Sequence, residues 1–331
     1  MGPRKLRVHV INSRARNALY RITPQQWTAA CVRHRPLARR LDASIGWDGA
    51  ELAGALKEAA VVIGVPARRD RLAQRAPRLQ WLHCTSAGVD GFLPLDWLPG
   101  GVAFTNNRGA HGAKAEQYMR MAYAMLNCRI PRIIANQQAR RWEQLYSPSL
   151  AGKTALVIGL GDLGQAAARA AKQAGLTVIG ISRSGKKVRP ADAVHTLARL
   201  DALLPRADYV VVAVPLTSET HHLLDAARLD LMKRRAGVIN IARAQVVDYG
   251  ALAARLERGE LSGAVLDVVE PEPLPPDSPL WRTPNLIITP HISCDDSEHY
   301  NDITLDLWFA NLERFLDGRP LKNRVDPRRG Y

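Results

Sequence analysis

The chain has 331 residues, 47% of them apolar, and carries 46 Lys and Arg against 31 Asp and Glu, a formal net charge of +15. That length implies two globular domains with sizeable cores and excludes a disordered or fibrous chain. The basic excess raises nucleic acid or a membrane surface as partners, but the 37 Arg are scattered, and their densest runs, 33–40 and 68–78, lack the interleaved aromatics of a base-stacking platform. No nucleic acid is expected, and no membrane, because no stretch reaches the length of a span. The surface charge is read as favouring small anionic molecules. Four cysteines, Cys31, Cys84, Cys128 and Cys294, stand at neither metal nor CxxC spacing, so no metal and no disulfide framework is expected, and a reducing cytoplasm fits. The basic N-terminus has no apolar signal core, and Gly2 lacks the Ser or Thr at position 6 that myristoylation requires.

In chain order, strands are expected at 6–12, 59–66, 79–84 and, shorter, at 102–107, with helical segments between the first three. A strongly helical run follows at 114–128, apolar on most faces. The stretch 132–150 is polar, holds Trp142 and Tyr146, and reads as an excursion. From Gly152 strands and helices alternate again, with strands at 154–158, 177–181, 209–214, 238–241, 264–267 and 286–289. Asp248 is placed as the N-cap of a helix ending at Gly259, the Pro-rich 271–284 is read as irregular, and 298–316 as a last amphipathic helix. Alternation of this kind implies parallel sheets covered on both faces.

Residues Gly159-Leu-Gly161-Asp-Leu-Gly164 match G-x-G-x-x-G between an apolar strand and a helix. The first Gly permits a tight turn, the second lets a pyrophosphate approach the backbone, and the third allows close packing of helix on strand. The helix N-terminus then offers unpaired N–H groups to phosphate. The next strand runs into Ser182-Arg183-Ser184-Gly185-Lys186-Lys187. A carboxylate at this point would accept from a ribose 2′-hydroxyl and repel a 2′-phosphate. A hydroxyl followed by Arg183, with Lys187 near, suits the phosphate instead. NADP(H) is therefore the preferred cofactor; a merely basic exposed loop would accept NAD(H) as well.

These motifs, with Ser86-Ala-Gly-Val-Asp90, TNNRGAHGAKAE at 105–116, Val214-Pro-Leu-Thr217, NIARAQVVD at 240–248, Leu266-Asp-Val-Val-Glu-Pro-Glu-Pro273 and Pro290-His-Ile-Ser293, make the chain resemble the D-isomer-specific 2-hydroxyacid dehydrogenase family. The PLPPDSPLW run and the HISCDD segment look closest to its glyoxylate, hydroxypyruvate and other 2-keto acid reductases. The resemblance implies an α/β fold of two doubly wound parallel-sheet domains. A Rossmann cofactor domain, 105–294, would be inserted into a flavodoxin-like substrate domain, 1–104 and 295–331, with the active site in the cleft between them. It implies a homodimer formed through the cofactor domain, with the 132–150 excursion wrapping the second subunit. Trp142 and Tyr146 either reach the neighbour's pocket or pack in the core or arm.

Reduction of a keto acid requires that the carboxylate be held, the carbonyl polarised and the alkoxide protonated. The resemblance assigns these roles to Arg243, Glu272 and His291. The guanidinium grips carboxylate and carbonyl oxygens. The imidazole delivers the proton as a general acid/base. Glu272 orients it and favours its charged form; Glu270 two residues earlier is a competing partner, but the motif places the acid five residues after Asp267, which selects Glu272. The small-residue loop Ser86, Ala87, Gly88 and Val89 is expected to hold the substrate carboxylate, together with Arg243, through a nest of backbone N–H groups. Expected cofactor contacts are Gly159, Gly161, Asp162, Leu163, Gly164, Ser182, Arg183, Ser184, Lys187, Val214, Pro215, Thr220, Ile241, Ala242, Asp267, His291 and Ser293. His111, His221 and His222 are read as structural or surface residues, the adjacent pair pointing apart. Ala244 replaces the Gly that usually follows the family's Arg. The second reading is a non-catalytic nicotinamide-sensing scaffold or regulator of the same fold, which the intact triad opposes. Formate oxidation is disfavoured by Glu272, where formate enzymes carry Gln.

Overall fold

The computed structural model describes residues 5–49 and 51–327. The readings made on residues 1–4, Gly2 included, and the extreme ends of the expected substrate domain lie outside the described residues. The chain divides into two compact units, Met1–Ala110 with Asp296–Tyr331, and His111–Asp295.

The first unit holds five parallel strands, β1 (Leu6–Asn12), β2 (Leu41–Trp47), β3 (Val61–Ile63), β4 (Trp81–His83) and β5 (Ala103–Thr105), in the order β2-β1-β3-β4-β5. The central strands are buried runs such as VVI and WLH, as a sheet covered on both faces demands. One face packs Val8, Val10, Val61 and Ile63 against Trp308, Phe309 and Leu312 of the closing helix Tyr300–Leu316, with the Trp81 and Trp308 rings stacked at 5.5 Å. Strand β2 is not expected from sequence. As an edge strand with one neighbour it leaves most of LDASIGW at least partly exposed, so the pattern of a buried strand is missing.

The second unit holds seven parallel strands: β6 (Thr154–Ile158), β7 (Thr177–Ile181), β8 (Ala193–His195), β9 (Tyr209–Val212), β10 (Gly237–Asn240), β11 (Gly263–Leu266) and β12 (Leu286–Ile288), in the order β12-β11-β10-β9-β6-β7-β8. This is the doubly wound Rossmann arrangement, in which the chain winds out one way from β6 and then the other. Two apolar clusters lie on the two faces, one including Leu156, Val210 and Leu252, the other Tyr123, Val157 and Val265. The edge strand β8, only three residues long and half-buried, is the other strand not expected.

Two further expectations are corrected. The 132–150 excursion begins within helix Ile130–Gln138; Trp142 and Tyr146 beyond it are 94% and 79% exposed, which removes the core reading for both. The Pro-rich 271–284 segment contains the single turn Pro279–Arg282, led by a proline whose fixed φ suits a helical first position. Asp248 caps helix Tyr249–Glu257 by accepting from the Ala251 N–H, and Gly259, at φ +65, ends it.

Candidate active site

The Gly-rich turn follows β6 directly. Gly159 has φ +95, and a Cβ there would lie 2.4 Å from the Ala213 carbonyl oxygen. A Cβ on Gly164 would lie 1.7 Å from the Gly159 oxygen, so no other residue fits between helix Asp162–Gln173 and its strand. A Cβ on Gly161, the N-cap, would meet nothing within 4 Å. Two glycines are thus demanded by the fold itself, while the third leaves open space in front of the helix N-terminus. That combination fits a dinucleotide pyrophosphate, held by the N–H groups of residues 162–164, Asp162 and Leu163 among them.

After β7 the Ser182 hydroxyl accepts from the Gly185 N–H at 3.2 Å and the Ser184 hydroxyl from the Lys186 N–H at 3.3 Å. Both hydroxyl protons are left to donate. Arg183 and Lys187 are exposed, and residues 182–187 hold no carboxylate. Beyond β9, Val214 and Pro215 enter a turn closed by Thr220, whose hydroxyl donates to the Pro215 carbonyl at 2.7 Å and accepts from the Thr217 N–H at 2.8 Å. Its side chain is thereby committed to the turn. The neighbouring His221 and His222 do not point apart: their rings stack at 4.2 Å, because His222 takes a positive φ of 48° and leaves regular structure.

Arg243 follows β10 in extended conformation, after the buried Ile241 and Ala242. Its carbonyl accepts from Asn240 Nδ2, which also bonds the Tyr249 hydroxyl, and that hydroxyl donates to the Val268 carbonyl. The backbone beneath the guanidinium is pinned from two neighbouring elements. Ala244 is buried.

His291 lies in the turn after β12, at φ +55. Its Nδ1 meets Glu272 Oε2 at 2.9 Å, and Glu272 Oε1 accepts from the Val269 N–H at 3.3 Å. Glu270 is occupied elsewhere, accepting from Gln245 at 2.8 Å. Both members of the His–Glu pair are partly exposed, leaving the far edge of the imidazole open to a ligand. The unusual turn is held by Asp267, which is 1% exposed. Its carboxylate accepts from the Thr289 hydroxyl at 2.6 Å, the Ile292 N–H at 2.9 Å and the Ser293 N–H at 3.0 Å, and its own carbonyl accepts from the His291 N–H at 2.8 Å. Asp267 and the equally buried Ser293, both expected as cofactor contacts, therefore brace the loop that carries the histidine. The bracing was not foreseen; the spacing of Asp267 ahead of Glu272 was its only trace in the sequence.

In the first unit, residues 85–90 follow β4. Ser86, Ala87 and Gly88 are half-buried and Val89 is buried. The Thr85 carbonyl accepts from the Tyr300 hydroxyl, the Ala87 carbonyl from Asn106 Nδ2 at 2.8 Å and the Ser86 carbonyl from the Asn107 N–H at 3.0 Å. With its carbonyls turned to the protein, this loop can present N–H groups outward. Arg16, which the sequence did not single out, spans its hydroxyls, donating to Thr85 Oγ1 and Ser86 Oγ at 2.9 Å each. Next to the loop that carries His291, the residues His111, Cys294 and Asp295 place ligand-type atoms within 4.8 Å of one another. The Cys294 thiol is pushed up to about 12 by burial, with Asp295 adding to the effect. No helix of the described residues is long and apolar enough to cross a membrane.

The sequence model of the D-isomer specific 2-hydroxyacid dehydrogenase NAD binding domain matches residues 121–293. A glyoxylate/hydroxypyruvate reductase B of Enterobacter sp. (strain 638) is 32% identical over 287 residues, 84% of this chain and 88% of that one. The crystal structure of a D-isomer specific 2-hydroxyacid dehydrogenase from Xanthobacter autotrophicus Py2, in complex with NADPH and MES, has a TM-score of 0.82 at 31% identity over 98% of this chain and 99% of that one. That of an NADPH-dependent glyoxylate/hydroxypyruvate reductase from Sinorhizobium meliloti, in complex with NADP and sulfate, has a TM-score of 0.78 at 27% identity, over 98% and 99%. The ordered motifs, the doubly wound sheets and these matches agree, and the chain belongs to the D-isomer specific 2-hydroxyacid dehydrogenase family of oxidoreductases.

Proposed function

We propose that this oxidoreductase reduces small 2-keto acids of the glyoxylate and hydroxypyruvate type to 2-hydroxy acids, preferring NADP(H) and accepting NAD(H) less well. The observation that carries the reading is the contact of His291 Nδ1 with Glu272 at 2.9 Å, which commits one ring nitrogen and leaves Nε2 for a substrate. In this reading the cofactor belongs to the unit of residues 111–295 and the substrate loop to the other unit. A reduced nicotinamide, when bound, supplies the hydride. His291 supplies the proton that the carbonyl oxygen takes up as C2 is reduced, and Glu272 fixes the ring as donor. Arg243 holds the substrate carboxylate and neutralises charge developing on the oxygen, assisted by the N–H groups of residues 86–89. The carboxylate-free turn after β7, with Ser182, Arg183, Ser184 and Lys187, supports the cofactor preference, as do the NADPH and NADP held by the two related structures.

We also propose a homodimer through the cofactor domain. Trp142 and Tyr146 stand almost bare, close in sequence to the exposed Ile133 and Ile134, an apolar area of the kind a second copy covers. The cytoplasm is the compartment proposed, from the cysteine pattern of the sequence.

The test is one panel of glyoxylate, hydroxypyruvate, phenylpyruvate and branched keto acids, each with NADPH and NADH. We expect higher kcat/KM with NADPH and a smaller preference in Arg183→Asp. His291→Ala should lower kcat by about 10²–10⁴-fold, the usual contribution of a general acid, with cofactor affinity retained. Equal efficiency with both cofactors overturns the preference, and full activity in His291→Ala overturns the site. Cofactor binding without turnover of any keto acid would favour the scaffold.

A further inference from the structure

All strands of the first sheet are parallel, so the segments leaving their C-terminal ends share one edge. The chain leaves β1 for β2 on one side and later enters β3 on the other, which makes the β1/β3 boundary a topological switch point. Ligands of open α/β sheets bind outside the carboxyl ends of the strands at such points. Three arginines occupy the segment that follows β1.

Arg16 reaches from that segment to the loop after β4, with one guanidinium nitrogen on Thr85 Oγ1 and the other on Ser86 Oγ, and its guanidinium carbon 4.4 Å from the centre of the Tyr20 ring. Arg21 turns back on its own segment, donating to the Arg14 carbonyl at 3.2 Å and the Arg16 carbonyl at 3.0 Å. Arg14 and Arg21 lie over Trp47, the last residue of β2, at 5.3 and 5.6 Å from the ring centre. Every one of these partners is neutral: hydroxyls, carbonyls and aromatic faces. Among the described residues no carboxylate pairs with Arg14, Arg16 or Arg21. The neighbouring Asp48 accepts from the Ala67 N–H at 2.6 Å instead.

Three like charges fixed in one segment repel, and among the described residues no carboxylate pairs with them to offset that repulsion. Elsewhere the same unit pairs its arginines with carboxylates, as with Arg7–Asp42, Arg33–Asp306 and Arg78–Glu58. The aromatic faces and backbone carbonyls hold these three guanidiniums in place, while their remaining donors and net charge are left for an anion. The loop they border is the one already proposed to take the substrate carboxylate.

We infer that the substrate carries a second anionic group, a carboxylate or a phosphate, on the side of C2 away from its keto-acid carboxylate. Arg14 and Arg21 recognise that group over Trp47, and Arg16 is a positioning residue that holds residues 85–86 beside it. The inference rests on the reductase reading and narrows its substrate class from monoanionic keto acids to dianionic ones.

Matched pairs test it in steady-state kinetics with NADPH: oxaloacetate against 2-ketobutyrate for a carboxylate, and hydroxypyruvate phosphate against hydroxypyruvate for a phosphate. We expect at least a tenfold higher kcat/KM for the member of one pair that carries the second anion; which pair identifies that anion. In the double variant Arg14→Gln/Arg21→Gln that ratio should collapse toward one, through KM of the dianionic substrate, and Arg14→Lys/Arg21→Lys should restore part of it. A wild-type ratio near or below one in both pairs overturns the inference, as does a double variant that slows both members in equal proportion. Turnover of glyoxylate and hydroxypyruvate without any preference for charge sinks this inference alone. No turnover of any keto acid sinks the reductase reading beneath it.

Discussion

Asp267→Asn tests whether the loop that carries His291 is held as the structure indicates. In the wild type one carboxylate oxygen accepts from the Thr289 hydroxyl and the Ile292 N–H, and the other from the Ser293 N–H, all inside a site 1% exposed. Asparagine retains one acceptor and puts an NH₂ where the second stood. In its better orientation it keeps the first two bonds, downgraded from charge-assisted to neutral at about 1 kcal/mol each. It then sets donor against donor at Ser293, stranding a buried N–H for about 1–3 kcal/mol. Relief from burying a charge offsets part of that loss. The net expectation is a destabilisation of about 2–4 kcal/mol, concentrated in residues 289–293. Urea unfolding followed by circular dichroism reads the total, amide exchange at Ile292 and Ser293 reads its location, and kcat should fall because the turn at His291, φ +55, loses its brace. A change below about 0.5 kcal/mol, the usual size for a neutral surface substitution, with amide protection at Ile292 and Ser293 unaltered, would refute the reasoning.

The second and third glycines of the phosphate turn should separate in their effects. Gly164→Ala forces a Cβ into the Gly159 carbonyl and should lower stability by about 1–3 kcal/mol or more as well as weaken dinucleotide binding. Gly161→Ala meets nothing in the protein, so thermal melting should stay near wild type while calorimetric titration shows weaker NADPH binding; equal loss of stability in both variants contradicts this. Glu272→Gln keeps a hydrogen-bonding group beside His291 Nδ1 but removes the charge, and kcat should fall at least tenfold with NADPH affinity retained; unchanged kcat in single-turnover measurements counts against the pair. The buried His83, lowered to about 4 by burial, stays neutral in the fold while the unfolded chain takes up a proton near 6.5. Below pH 6.5 the unfolded state therefore binds more protons, so its contribution to stability, about 3 kcal/mol in full, is lost as pH falls from 6.5 toward 4. Urea unfolding at pH 7 and 4.5 should show a smaller loss in His83→Gln than in the wild type, and identical losses would contradict the assignment.

Much of the fold was legible because parallel strands buried on both faces leave a direct mark: TALVI, YVVV, GVIN and GAVL are nearly unbroken apolar runs closed by turn residues. The glycine spacing after β6 and the Asp248 cap were equally plain, since each rests on contacts within a few residues. The edge strands β2 and β8 were not, because one hydrogen-bonded neighbour and a half-exposed surface demand no such pattern.

Residue types and order therefore determined the alternating parallel-sheet pattern and the dinucleotide turn, and the family resemblance they carry added the two-domain architecture and Arg243, Glu272 and His291 as candidates. Only the tertiary structure decided that Asp267 spends its carboxylate on the loop, and that Arg16, 69 residues before Thr85, spans two of its loop's hydroxyls. The reason lies in range: helix, strand and turn preferences act over a few residues along the chain, whereas a hydrogen bond between distant side chains exists only once the sheet has brought its strand ends to one edge.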